Sequence, residues 1–287
     1  MPKTPELSII IPVHNRHDLF LHSLNSVLNQ KHNVSKEIII VDEASSPPIE
    51  EFIKDNLPDT LPFVKIIRNS RALGPSLART KGLNVAKGKF IAFLDSDDFW
   101  RPEFLSQLLP RFDSGKSEIV TVLSSPVYMG NVGIGEKIYY SLLRVIRSII
   151  ILSSSILNKG VLPYSWLYVL RLSGMVFTRK AIGKVKFLMA YRTAEDWKFI
   201  WDCIRQNQPE IKILPRILMD FTYSGQSETI RRSHYWGYYY MLIDELTPDI
   251  RNSFGMKFFK FTTDLSVLRT KSYPHLHYYP RKSNGSK

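Results

Sequence analysis

Short, continuous apolar runs alternate with stretches of helical periodicity through the first 123 residues. Residues 7–12 (LSIIIP), 37–41 (EIIIV), 63–68 (FVKIIR), 90–94 (FIAFL) and 118–123 (EIVTVL) have the length and β-branched content of strands, several of them apolar enough for burial on both faces. Between them, residues 17–30 place Leu21, Leu24 and Leu28 at helical spacing. Pro47 and Pro48 open a second helix through Asn56, and Gly74-Pro75 opens a third that stops before Lys87-Gly88. A fourth follows Pro102, with Leu105, Leu108, Leu109 and Phe112 on one stripe. This alternation predicts βαβ units: class α/β, a Rossmann-like, mostly parallel central sheet flanked by helices. Such sheets bind ligands beyond the carboxyl ends of their strands. Three polar clusters fall at those ends, at residues 12–15, 42–45 and 95–98.

Beyond Ser124 the pattern loosens. Residues 138–155 read as an amphipathic helix or helix pair with Arg144 and Arg147 on one side. A strand is expected at 173–178, a helix at 193–206, one or two strands at 212–223, and apolar, aromatic helices at 235–246 and 254–268. From about residue 272 the chain reads as a basic tail. The expected organisation is a domain over 1–223, with a nucleotide-binding half at 7–123 and an acceptor half at 124–223. A loop with helices follows at 224–271, and then the tail.

Composition narrows the class. The chain has 287 residues, 44% apolar and 12% aromatic, enough for a substantial core and unlike a disordered chain. One cysteine, Cys203, excludes a disulfide framework within the chain. The run at 7–13 is short and contains Pro12, and residues 1–6 before it lack the expected n-region, so no signal peptide is expected. Arg144 and Arg147 interrupt the longest apolar stretch, 138–157, so no membrane span is expected either, and the expected location is cytoplasmic. The net charge of +13 favours phosphate-bearing partners. The basic residues do not interleave with aromatics on a nucleic-acid module, so nucleic acid is not an expected partner.

The chemistry concentrates at KFIAFLDSDDFWR, residues 89–101, where an apolar strand runs into Asp95, Asp97 and Asp98. Acids at a strand tip can hold a cation or a sugar hydroxyl. The simpler alternative is that they cap the helix opening at Pro102, which needs one acid and not three. Asp196 falls in helical register with Phe199, Ile200 and Cys203, which turns it toward a buried side. Glu195 shares a line with Lys198 and Asp202 and is expected to face solvent or an acceptor. A carboxylate on an inward face is costly unless paired or at work.

SIIIPVHN (8–15), EIIIVDEAS (37–45), ARTKGLNVAKGKFIAFLDSDD (78–98) and AEDW (194–197), in this order and spacing, resemble family 2 glycosyltransferases of the GT-A fold over roughly residues 7–223. The resemblance implies an inverting enzyme that moves a sugar from a UDP-sugar to a glycan or lipid-linked saccharide in cell-surface polysaccharide synthesis, with Mn²⁺ or Mg²⁺. It implies Asp97 as metal ligand, Asp95 on the ribose or in the second shell of the metal, Asp98 as a helper, and Asp196 as general base with Glu195 as second choice. The donor pocket it implies comprises Pro12, His14, Asn15, Asp42, Glu43, Arg79, Asp95, Ser96 and Asp97. The stretch 224–234 is polar and carries Arg231 and Arg232, and such a loop could close over the diphosphate. Oxygen ligands suit Mg²⁺ and Mn²⁺.

Several positions keep a plainer reading beside this one. His14 could be an ordinary polar turn residue, Arg79 a solvated helix residue, and Trp166 and Trp197 core instead of an acceptor wall. The chain departs from the common VDDGS at VDEAS, has Thr80 where relatives often have Asn, and lacks a His at 223–227. These departures motivate the alternative of an inactive relative that binds nucleotide-sugar or glycan as a partner subunit. The stretch 138–157 and the basic C-terminal third suit an anionic membrane surface, here the inner face, or equally a core helix and a solvated tail. Homodimerisation is left open.

Overall fold

The computed structural model describes residues 4–130, 132–157, 171–188 and 195–224. The expected helices at 235–246 and 254–268, the loop with Arg231 and Arg232, the tail and Trp166 lie outside the described residues. The elements run β1 (Leu7–Val13), α1 (His17–Leu28), β2 (Lys36–Asp42), α2 (Ile49–Asn56), β3 (Val64–Arg68), α3 (Pro75–Val85), β4 (Phe90–Phe93) and β5 (Asp98–Trp100). There follow α4 (Phe104–Leu108), β6 (Glu118–Met129), α5 (Ile134–Leu157), β7 (Met175–Thr178), α6 (Arg179–Ile182), α7 (Glu195–Asn207) and β8 (Glu210–Ser224).

Eight strands form one sheet in the order β3-β2-β1-β4-β7-β6-β8-β5. β3, β2, β1 and β4 are mutually parallel, with Ile9 opposite Ile38 and Ala92. All seven residues of β1 are buried because both faces of the sheet are covered. The two-residue period divides them between two cores. Ile10 joins Ile39, Ile91 and Phe93 in the core beneath α3 and α7. Ile9 and Ile11 join Phe20, Leu24 and Ile53 in the core beneath α1 and α2.

The second half is mixed. β7 runs antiparallel to β4 and β6, β8 runs parallel to β6, and β5 runs antiparallel to β8. Only residues 94–97 separate β4 from β5, and four residues reach at most about 3.5 Å each. Yet β4 is the fourth strand of the sheet and β5 the eighth. The sheet therefore curls until its last edge returns to the tip of β4. No strand is expected between the acidic tip and Pro102, and β5 is found there. Its three residues are too few to show a period.

Candidate active site

Because β1, β2 and β4 are parallel, the polar clusters that follow them share one rim. Behind Val13, Asn15 and Arg16 both adopt left-handed backbone, and so does Ala44 behind β2. These turns lock together. The Asn15 amide donates to Ser45 Oγ at 2.9 Å, and the Ser46 amide donates to Asn15 Oδ1 at 2.9 Å. The His14 ring, exposed above the buried Pro12, donates through Nδ1 to the Glu43 carbonyl at 2.6 Å, and its Nε2 receives Asn15 Nδ2 at 3.3 Å.

Asp42 and Glu43 are buried and build the rim. Asp42 accepts from the Ser45 amide at 2.8 Å, from the Ile49 amide at 3.2 Å, and from Arg68. It thereby holds the entry to α2. Glu43 Oε2 receives the Leu73 and Gly74 amides at 2.5 and 2.9 Å, and Oε1 receives Asn69 Nδ2. Lys81 closes this relay on Asn69 Oδ1. Oε1 has capacity for a second donor.

The acidic tip is a turn, with the Asp98 amide donating to the Asp95 carbonyl at 3.0 Å. Ser96 is half-buried within it. β7 is antiparallel to β4, so the residues before it lie beside the residues after β4. Ser173 Oγ consequently accepts from the Asp95 amide at 3.2 Å, and Arg171 acts electrostatically on Asp97 and Asp98. From β8, Thr222 Oγ1 donates to the Asp97 carbonyl at 2.5 Å. The Asp97 carboxylate meets Arg16 Nη1 at 2.5 Å. Sequence reasoning missed Arg16, Arg171, Ser173 and Thr222. Arg171 and Ser173 arrive through the antiparallel placement of β7 beside β4 and Thr222 through the pairing of β8 with β5, neither of which the pattern of the strands reveals, and Arg16 lies in the turn after β1, one residue beyond the polar cluster at 12–15.

Arg79 joins this tip to the start of α7. It is 4% exposed and grips Asp95 Oδ1 through Nη2 at 2.6 Å and Glu195 Oε1 through Nη1 at 3.0 Å. Its ring neighbour is Phe187, with the guanidinium carbon 5.5 Å from the centroid. Burial works to lower its proton affinity, but Asp95, Glu195 and Asp196 outweigh it and hold the guanidinium above its usual range. The solvated helix position is thus replaced by a buried bridge between acids 100 residues apart in sequence.

Asp196 follows Glu195 and accepts from the Trp197 amide at 2.8 Å. Burial and the neighbouring Glu195 charge push its carboxyl up to about 7, with Arg79 opposing. The expectation for the Glu195 line is corrected. Lys198 and Asp202 do not face solvent. They are 4% and 5% exposed and pair with each other at 2.5 Å, and Glu195 itself turns in to Arg79. Trp197 sits in the core with Phe199 and Ile200.

Asp97 and Asp98 are both held above the usual carboxylate range, first by burial and then by the neighbouring acids of the tip. That is a shortage of positive charge at an all-oxygen donor set, which fits a hard divalent cation. Among the described residues no group of three His, Cys, Asp or Glu is placed to hold a metal unaided. Oxygens from a ligand, such as phosphates, would have to complete the shell.

The sequence matches the family described as Glycosyl transferase family 2 over residues 8–155. It is 42% identical over 130 residues to the minor teichoic acid biosynthesis protein GgaA of Bacillus subtilis, covering 42% of this chain and 27% of that one. It is 32% identical over 117 residues to the succinoglycan biosynthesis protein ExoO of Rhizobium meliloti, covering 41% of this chain and 32% of that one. The match thus spans less than a third of either relative. Among solved structures, the fold resembles the mannosyltransferase PcManGT of Pyrobaculum calidifontis in complex with GDP-Man and Mn²⁺, at a TM-score of 0.64 and 14% identity over 96% of this chain and 78% of that one. It also resembles S. aureus TarS 1-349 in complex with UDP-GlcNAc, at a TM-score of 0.56 and 17% identity over 95% and 74%.

Proposed function

We propose that this chain, which belongs to glycosyl transferase family 2 and has the GT-A fold, moves a sugar from a UDP-sugar to a glycan or lipid-linked saccharide in cell-surface polysaccharide synthesis. The observation that carries the reading is the Arg79 bridge. It draws the acidic tip behind β4 and the acidic pair at the start of α7 into one site. A transfer reaction needs both parts. One end must bind a nucleotide diphosphate, and the other must take a proton from the attacking hydroxyl.

In this reading the base end of the donor lies along His14 and Glu43, the ribose meets Asp95, and Pro12, Asn15, Asp42, Ser96 and Arg79 shape the floor and rim. Asp97, with Asp95 on the ribose or in the second shell, would hold Mn²⁺ or Mg²⁺, which when bound neutralises charge gathering on the departing diphosphate. Arg231 and Arg232 are proposed to lie over the diphosphate. Asp196 accepts the proton of the acceptor hydroxyl, and attack from its side inverts the anomeric carbon. A carboxylate of ordinary acidity is a weak base at neutral pH. A proton affinity raised to about 7 suits the task better. The relatives' names, a teichoic acid and a succinoglycan biosynthesis protein, support a cell-surface polysaccharide as product. TarS with UDP-GlcNAc supports a UDP-sugar as donor.

The test is calorimetry of UDP and GDP with and without Mn²⁺, coupled to UDP release from a panel of UDP-sugars. Binding of UDP that needs Mn²⁺, turnover that a chelator stops, and loss of both in Asp97→Ala are expected. UDP binding without turnover on any donor or acceptor extract favours the inactive partner subunit. Equal turnover with and without chelator contradicts the metal role.

A further inference from the structure

Helix α5 carries an apolar stripe that nothing in the described fold covers. Ile134, Ile138, Leu142, Val145 and Ile149 recur every three or four residues, and Ile156 stands two turns further on. All six are exposed, by between 48% and 80%. Five of them lie on consecutive turns, so the stripe follows one face of a 24-residue helix. No described helix is long and apolar enough to cross a membrane. A stripe this long needs an occupant, because scattered exposed apolar residues are ordinary but an aligned row is not.

Charge identifies the occupant. From residue 137 to residue 194 the chain has ten Lys or Arg and no Asp or Glu. Lys137, Arg144 and Arg147 lie within α5 itself, against one acid, Glu136, in its first turn. This one segment holds most of the net charge of +13. A second copy docking through the same stripe would bring two such basic segments together, which Coulomb repulsion disfavours. An anionic lipid surface meets both features, because acyl chains accept the stripe and headgroups accept the cations.

The helix also sits beside the candidate active site. Thr222 bonds the Asp97 carbonyl, the Tyr223 ring meets Tyr128 with centroids 5.6 Å apart, and Tyr128 Oη donates to the Lys137 carbonyl at 3.4 Å. The first turns of α5 are thereby coupled to the strand that supports the acidic tip. We propose that α5 lies in the surface of an anionic membrane through this stripe and holds the site at the lipid–water boundary.

The test uses the full chain and vesicles of phosphatidylcholine alone or with about one-third phosphatidylglycerol, a composition in the anionic range that basic amphipathic helices recognise. Co-sedimentation is expected with the anionic vesicles and at least tenfold weaker with the neutral ones, declining with added salt. Ile138→Ser/Leu142→Ser/Ile149→Ser is expected to lose at least tenfold in binding while keeping its circular dichroism. A separate Ile138→Cys variant, labelled with an environment-sensitive fluorophore, keeps the test independent of how the triple variant folds. Cys203 is the chain's one native cysteine and is buried. The label should shift to the blue on anionic vesicles. Three results overturn the proposal: no vesicle binding, binding by the triple variant equal to the native chain, or a solution dimer that the triple variant dissolves. Vesicle binding is read without turnover, so it stands apart from the glycosyl-transfer reading.

Discussion

Asp196 sits between opposed influences, with burial and Glu195 raising its proton affinity and Arg79 lowering it. Two outcomes follow. If its carboxylate is the base, kcat/KM for transfer should rise as pH rises through about 7, and Asp196→Asn should abolish that limb along with activity. Stability should move the other way. The folded carboxyl titrates near 7 and the unfolded one near 4, so the native state bears a growing ionisation cost between those values and a constant one above them. Each tenfold change in proton affinity is worth about 1.4 kcal/mol. Allowing for partial solvent access, Asp196→Asn should stabilise the fold by about 1–3 kcal/mol at pH 8 and leave it unchanged near pH 3.5, read from urea titrations. Arg79→Met should cost about 3–5 kcal/mol, since it strands Asp95 and Glu195 without their cation. Arg79→Lys should recover only part, because one ammonium cannot reproduce a two-handed fork.

Elements explain what the sequence shows and what it hides. The strands β1, β2 and β4 are visible as apolar runs because both faces of each are covered, and their acidic or polar ends mark the rim. β5 and the antiparallel sense of β7 are not visible, because three or four residues carry no period and strand direction is decided by contacts. That gap hides Arg171 and Ser173 from a reading of the chain. In α7 the periodicity turns Asp196 inward, but the helix is buried nearly all round. The Lys198–Asp202 pair therefore looks like a solvent line in sequence and is core in the fold. Asp202→Asn should destabilise by about 3–5 kcal/mol, and Lys198→Met/Asp202→Leu should recover much of it. The turn into β4 admits no side chain at Gly88, where a Cβ would lie 2.5 Å from the Ser8 amide nitrogen. Gly88→Ala should cost about 1–3 kcal/mol, measured by denaturation.

For the molecule as a whole, the curl of the sheet is what completes the site. It returns β5 and β8 to the tip of β4, so the acids, Thr222 and Arg171 converge from strands far apart in the sheet order. Motif order in the sequence points to this convergence, but the clamp that joins its halves is a contact between residues 79 and 195 that no local pattern encodes. The charge is also organised at this scale, with an acidic site in a basic molecule whose residues 137–194 carry ten Lys or Arg and no acid. We propose above that Asp196 does chemistry at a nucleotide-sugar site. It is tested most directly by UDP release from a turned-over UDP-sugar, measured for the native chain and Asp196→Asn beside their UDP affinities. Asp196→Asn is expected to lose at least about 100-fold in turnover with UDP affinity changed by less than about threefold, the pattern of a lost proton acceptor. Turnover by Asp196→Asn equal to the native chain, or a loss that merely follows a loss of UDP binding, would contradict it.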